Sequence, residues 1–109
     1  MPPRHTAVEE KLAAIEAEMR RMGIWQAEPL AEEQYDFHQA FAMDTMTFPQ
    51  WLQFIFIPRV KSILEARGDF PSGSSVGVQA IREFDGYAEA GELVAVLCEF
   101  DKLFDEEPN

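Results

Sequence analysis

The sequence predicts an all-α fold: a small bundle of about four helices, with a long loop between the first helix and a central one. Three observations predict it. Apolar residues recur at alternating spacings of four and three in the first and last quarters of the chain. Nothing alternates with period two over a useful length. Glycine and proline fall where helices should stop and start.

The first helix rests on Val8, Leu12, Ile15, Met19 and Met22, with Glu, Lys and Arg between them. This is an apolar stripe on one side of a 3.6-residue period. Thr6 and Glu9 have the spacing of a capping box. Gly23 stands where a left-handed residue should close the helix. From Trp25 to Met46 the period is lost. Pro29 breaks any helix, Ala31 to Gln34 has room for one turn, and Tyr35, Phe37 and Phe41 recur without rhythm. A loop of this length in a small domain is expected to drape over the core.

Thr47-Phe48-Pro49-Gln50 restarts a helix, with Thr47 as cap, Gln50 answering from the third position and Pro49 in the tolerant first turn. It is expected to run to Arg67, with Gly68 closing it and Pro58 kinking it by removing the bond to the Phe54 carbonyl. Leu52, Phe56, Val60 and Ile63 make one face, while Trp51, Phe54 and Ile55 point elsewhere. A helix apolar on nearly every side is a buried one, so this is read as the central element. After a turn over Asp69–Ser75, a third helix is expected over Val76–Tyr87 with Val78, Ile81 and Phe84 inward. Gly86 and Gly91 bracket a joint, leaving open one bent helix or two. Leu93, Leu97, Phe100 and Phe104 carry the last helix, widened by Val96 and Leu103.

The 109 residues have room for one core, and a single domain over 1–109 is expected. The formal charge of −11, from 9 basic and 20 acidic residues, opposes binding to phosphate backbones and to anionic membranes. Direct nucleic-acid binding is therefore not expected. No stretch is apolar enough to span a bilayer and no secretory signal is evident, so a cytoplasmic protein is the expectation. The lone Cys98 excludes an internal disulfide and suits a reducing compartment.

The segment Phe41-Ala42-Met43-Asp44-Thr45-Met46, followed by Trp51-Leu52-Gln53 and Ile57-Pro58-Arg59, resembles the signature of the YqcC-like family. These are small bacterial proteins classed as a domain of unknown function. The resemblance extends over nearly the whole chain, from the first helix to the closing Leu-Cys-Glu-Phe-Asp-Lys-Leu-Phe. It implies a compact all-α bundle and no established activity. The family is sometimes labelled tRNA pseudouridine synthase C. Such enzymes place a catalytic Asp, commonly within Arg-Leu-Asp, in a mixed α/β domain more than twice this size. This sequence has neither, so the label is read as the hint of a partner.

The candidate site gathers Tyr35, Phe37, Phe41, Met43, Asp44, Thr45, Met46, Trp51, Phe54 and Arg59. Asp44 and Thr45 either present polar groups beside Arg59 or brace the entrance to the central helix, and the second is favoured. Trp51, Phe54 and Ile55 either anchor a partner or form the floor under Tyr35, Phe37 and Phe41, and the floor is favoured. His38 lies near Glu32, Glu33 and Asp36, yet neither histidine follows a Glu by three residues as carboxylate-bridged metal sites require. Cys98 has no matching base, and is read as a packed residue. No catalytic, metal or cofactor residues are assigned. The leading function is an accessory or interaction module with an unidentified protein partner, using the loop and the central helix; a homodimer stays open. The alternatives are a small-molecule binder or enzyme with a pocket near Asp44 and Arg59, and a partner of a tRNA pseudouridine synthase.

Overall fold

The computed structural model describes residues 3–66 and 74–105. Helix α1 is Pro3–Arg21. It starts one turn earlier than the capping signal at Thr6 suggests, on a proline, whose missing N–H and fixed φ suit the first turn. Thr6 therefore lies inside the helix. Val8, Leu12, Ile15 and Met19 are buried and Met22 is half-buried, as the stripe predicts. The end is also as predicted. Gly23 takes a φ of 74°, its N–H donates to the Arg20 carbonyl, and the Ile24 N–H reaches back to Met19. That double bond around a left-handed residue is a Schellman stop.

The long loop carries two short 3₁₀ turns, Glu32–Tyr35 and Ala40–Ala42. It lies over the next helix, and Leu30, Ala42 and Met46 bury themselves with Ile55 in a small second core edged by Phe37, Trp51 and Phe54. Helix α2 comprises Phe48–Trp51, a π-helical stretch Leu52–Phe56, and Ile57–Ala66. Its start is the predicted capping box. The Thr47 N–H donates to Gln50 Oε1 at 3.0 Å and the Gln50 N–H to Thr47 Oγ1 at 3.3 Å. The irregularity expected at Pro58 takes the form of the π turn just before it, where the Ile57 N–H reaches the Leu52 carbonyl. Leu52, Gln53, Ile55, Phe56 and Ile57 are all buried and Trp51 and Phe54 are half-buried, so most of this half of α2 is covered. The expected end at Arg67 and Gly68, and most of the turn after it, lie outside the described residues.

Helix α3 is Val76–Glu83 and helix α4 is Gly91–Asp105. A turn through Gly86, at φ 78°, and a 3₁₀ turn Ala88–Ala90 separate them, so the joint makes two helices. The inward face of α3 differs from the expectation. Val76, Gly77, Gln79 and Ala80 are buried and Phe84 is half-buried, whereas Val78 and Ile81 stand 53% and 54% exposed. The reason is the closeness of α3 to α4: a Cβ on Gly77 would lie 2.7 Å from the Cys98 Cα. Gly77 permits this close approach, and Val78 and Ile81 stand outward. Asp101 of α4, itself buried, accepts the N–H groups of Val76 and Gly77 at 3.1 and 2.8 Å and the Ser74 hydroxyl. It thus caps α3 from another helix, satisfying amides that have no partner in their own.

α4 packs along both α1 and α3, and is the hub of the bundle more than α2 is. Leu93, Leu97 and Phe100 are buried against Ile15, Met19 and Phe56, and the Phe100 ring meets Phe56 edge-on at 5.0 Å. The side chain of Phe104 lies outside the described residues. Across the surface Lys11 Nζ donates to Glu99 Oε1 at 2.6 Å, tying α1 to α4 and holding the Glu99 carboxyl below its ordinary pKa. Among the described residues there is no strand, and no helix is long and apolar enough to cross a membrane.

Candidate functional site

The segment from Tyr35 to Met46 is held by side chains that bond to its backbone. Asp44 Oδ2 accepts the His38 N–H at 2.9 Å and Oδ1 accepts the Gln39 N–H at 3.3 Å. The His38 amide is the main cause of a lowered Asp44 pKa; the Gln39 amide adds to it and burial opposes it. Thr45 Oγ1 donates to the Gln34 carbonyl at 2.6 Å, and Gln34 Nε2 returns a bond to the Thr45 carbonyl at 3.1 Å. Asp44 and Thr45 thus brace the loop against itself, while the cap of α2 is Thr47.

Glutamines fasten this loop to α2. Gln53, buried in the π stretch, clamps the backbone of Gln26. Its Oε1 accepts the Gln26 N–H at 2.8 Å and its Nε2 donates to the Gln26 carbonyl at 2.7 Å. Gln50 Nε2 donates to Gln26 Oε1 at 3.1 Å. A bonded pair like this lets an amide sit in the core without leaving polar atoms bare. The Gln26–Gln53 clamp is not legible in sequence, because 27 residues separate the partners.

The aromatic candidates divide. Phe41 sets its ring edge-on to Trp51 at 4.9 Å and to Phe48 at 6.1 Å. To do so, Phe41 and Ala42 both take left-handed φ, 57° and 52°. Such backbone is disfavoured for residues with a Cβ, and Ala42 is fully buried there. Phe37 and Phe54 edge the second core, and Met46 is inside it. Tyr35 is exposed. Trp51, half-buried, also lies 5.4 Å from Phe56.

Arg59 stands exposed on α2 and makes no ion pair with Asp44, whose oxygens face the loop amides. Two hollows lie away from this pair. One of about 440 Å³ lies between α1 and α2 over Leu12, Ala13 and Leu64, rimmed by Glu9, Glu16, Lys61 and Glu65. Another of about 460 Å³ is lined by Trp25, Gln26, Pro49 and Gln50. His38 Nε2 lies 3.6 Å from Asp36 Oδ1, both well exposed. Among the described residues no three His, Cys, Asp or Glu side chains gather as metal ligands would.

A second surface, around α3, was not visible in the sequence. Among the described residues, five large hydrophobic ones are exposed: Tyr35, Met43, Val78, Ile81 and Tyr87. Four of them gather at α3. Val78 and Ile81, three residues apart, lie on its outer side. Tyr87 follows its C-terminal end, against Phe84 at 6.3 Å. Met43 Sδ accepts Gln79 Nε2 at 3.7 Å on its flank.

A four-helix α bundle with a braced loop over its second helix is the class that this fold and site define. The family model described as tRNA pseudouridine synthase C (DUF446) matches residues 7–103, and the chain belongs to that family. An uncharacterised protein of Haemophilus influenzae is 29% identical over 97 residues, covering 86% of this chain and 89% of that protein. The uncharacterised protein YqcC of Escherichia coli K12 is 33% identical over 99 residues, covering 91% and 89%. The solution NMR structure of E. coli YqcC superposes with a TM-score of 0.85 at 27% identity, over 99% of this chain and 93% of that one. A Pectobacterium carotovorum protein titled tRNA pseudouridine synthase C is 34% identical over 68 residues, covering 62% of this chain but only 18% of that protein. The family is one of uncharacterised proteins, and most of the chain that carries the enzyme's title lies outside the match.

Proposed function

We propose that this chain is a non-catalytic interaction module whose partner is a tRNA pseudouridine synthase. The observation that supports a binding role is the exposure of Val78 and Ile81 together on the outer side of α3, with exposed Met43 and Tyr87 beside that helix. Scattered exposed hydrophobics are ordinary; several together on a small protein mark a contact surface. The polar groups of the other candidate region fit the same reading. Asp44, Thr45, Gln34 and Gln53 spend their bonding capacity on loop backbone, where they give rigidity and not reactivity.

The choice of partner is supported by the P. carotovorum protein, in which a stretch similar to this chain occupies 18% of a much longer molecule. Joining two modules covalently raises their effective concentration and benefits modules that bind each other. Separate chains elsewhere then work as an accessory and an enzyme.

The test mixes the purified chain with the tRNA pseudouridine synthase C of the same bacterium in a calorimeter, with pseudouridine formation on unmodified tRNA measured alongside. A complex with a Kd on the order of micromolar or tighter is expected, and no pseudouridine from this chain alone. Lack of a complex well above micromolar concentrations would refute the partner. Pseudouridine made by this chain alone would refute the non-catalytic role.

A further inference from the structure

We infer that the outer face of α3, Val78 and Ile81 with Tyr87 beyond its end and Met43 on its flank, is where the catalytic chain of the synthase docks. This rests on the reading just given and adds the surface to it.

The face is not exposed for want of an alternative helix packing of equal quality. α3 approaches α4 so closely that Gly77 meets the Cys98 backbone, and Val76 and Ala80 complete the inward side. Val78 and Ile81, each about half exposed, lie outside the buried core. Two bulky aliphatics held outward on a rigid, end-capped helix are anchors of the kind that fill pockets in a partner. Asp101, which fixes the first turn of α3 from α4, makes the helix a firm support for them.

Charge selects the occupant. Glu83, Asp85 and Glu89 stand exposed at and just beyond the end of α3, against Arg82, and Arg21 reaches the Glu89 carbonyl at 3.1 Å. The whole chain carries −11. A second copy would bring acidic rim to acidic rim. An enzyme that holds tRNA carries a surplus of Lys and Arg to neutralise phosphates. A basic surface with an apolar centre complements an apolar ridge with an acidic rim, and such pairs associate quickly at low salt.

The experiment measures binding of the synthase to three forms of the full chain: unchanged, Val78→Asp with Ile81→Asp, and Ala17→Asp as the exposed control on α1. The double variant is expected to bind on the order of tenfold more weakly or worse, with its thermal midpoint kept, and the control to bind as the unchanged chain does. Binding of the unchanged chain is expected to weaken as salt is added. Hydrogen exchange on the unchanged chain, free of any variant that unfolds, should show amides of 78–87 slowed by the synthase. Unchanged affinity of a folded double variant, or protection confined to other segments, would overturn the docking site while leaving the partner intact. No binding by the unchanged chain would overturn the partner itself. A dimer of this chain that the two aspartates dissolve would show that the ridge serves a second copy, and would equally overturn the inference.

Discussion

Asp44 shows how a carboxylate can be distinctive in a sequence and still be structural. Its two oxygens take amides five and six residues back in the chain, so ionised Asp44 is a clasp for the loop over 38–44. The sign of its pH dependence follows. Its folded pKa lies below the unfolded value, so the clasp contributes fully above the unfolded value and is lost as pH falls through the folded one. Protection of the His38 and Gln39 amides, taken relative to the intrinsic exchange rate at each pH, should be high at neutral pH and fall in acid, and Asp44→Asn should lower it already at neutral pH. Equal exchange rates in Asp44→Asn at neutral pH would show that the clasp is idle. Local rules made other residues readable: Gly23 and the Thr47–Gln50 box act within one helical turn, where spacing alone fixes geometry. Asp44 was readable as a bracing residue but not as a clasp on His38, since a loop without period gives no register from which to find its partners.

At the level of the helix, α3 separates what periodicity tells from what it leaves open. Three-residue spacing places Val78 and Ile81 together on one side; it does not say whether that side is the inner one. Hydrophobicity argues for inside, and the closeness of α3 to α4 overrides it, because packing distance is set by the smallest residues on a face. Gly77 is that residue. Gly77→Ala would push a methyl against Cys98 backbone at 2.7 Å and the Asp101 carboxylate at 2.9 Å, neither of which can swing aside cheaply. A loss of about 1–3 kcal/mol is expected from such overpacking, visible as a lowered thermal midpoint; an unchanged midpoint would mean the two helices part without strain. In an ordinary exposed helix the same change would stabilise, so the sign itself is diagnostic. The π stretch of α2 teaches a similar lesson. Pro58 announced an irregularity, but its form depended on which neighbours could be buried, and Gln53 in that stretch is placed to hold Gln26.

For the molecule as a whole, charge decides which partners are admissible. Three of the basic residues are paired in the fold. Arg20 pairs with Glu16 and lies over the Trp25 ring at 4.8 Å, Arg21 pairs with Glu18, and Lys11 pairs with Glu99. Each is thereby neutralised by a neighbour, and a chain of −11 presents a repulsive field to any polyanion. Affinity for tRNA depends on cations free to displace counterions from phosphates. The chain alone should therefore leave tRNA unbound at physiological salt in a filter-binding titration, and retention at micromolar protein would show a basic patch that these pairings do not suggest. The same titration with the synthase present is more informative. If α3 docks on the enzyme away from its tRNA surface, the enzyme's affinity for tRNA should persist in the complex. If the acidic chain instead covers that surface, tRNA and this chain will compete, and the apparent affinity for each will fall as the other is raised, by the reciprocity of linked binding. The charge argument sets the acidic rim of α3 on the basic surface that holds tRNA, so competition is the expected outcome, and persistence of the enzyme's affinity for tRNA in the complex would show that charge does not select this occupant.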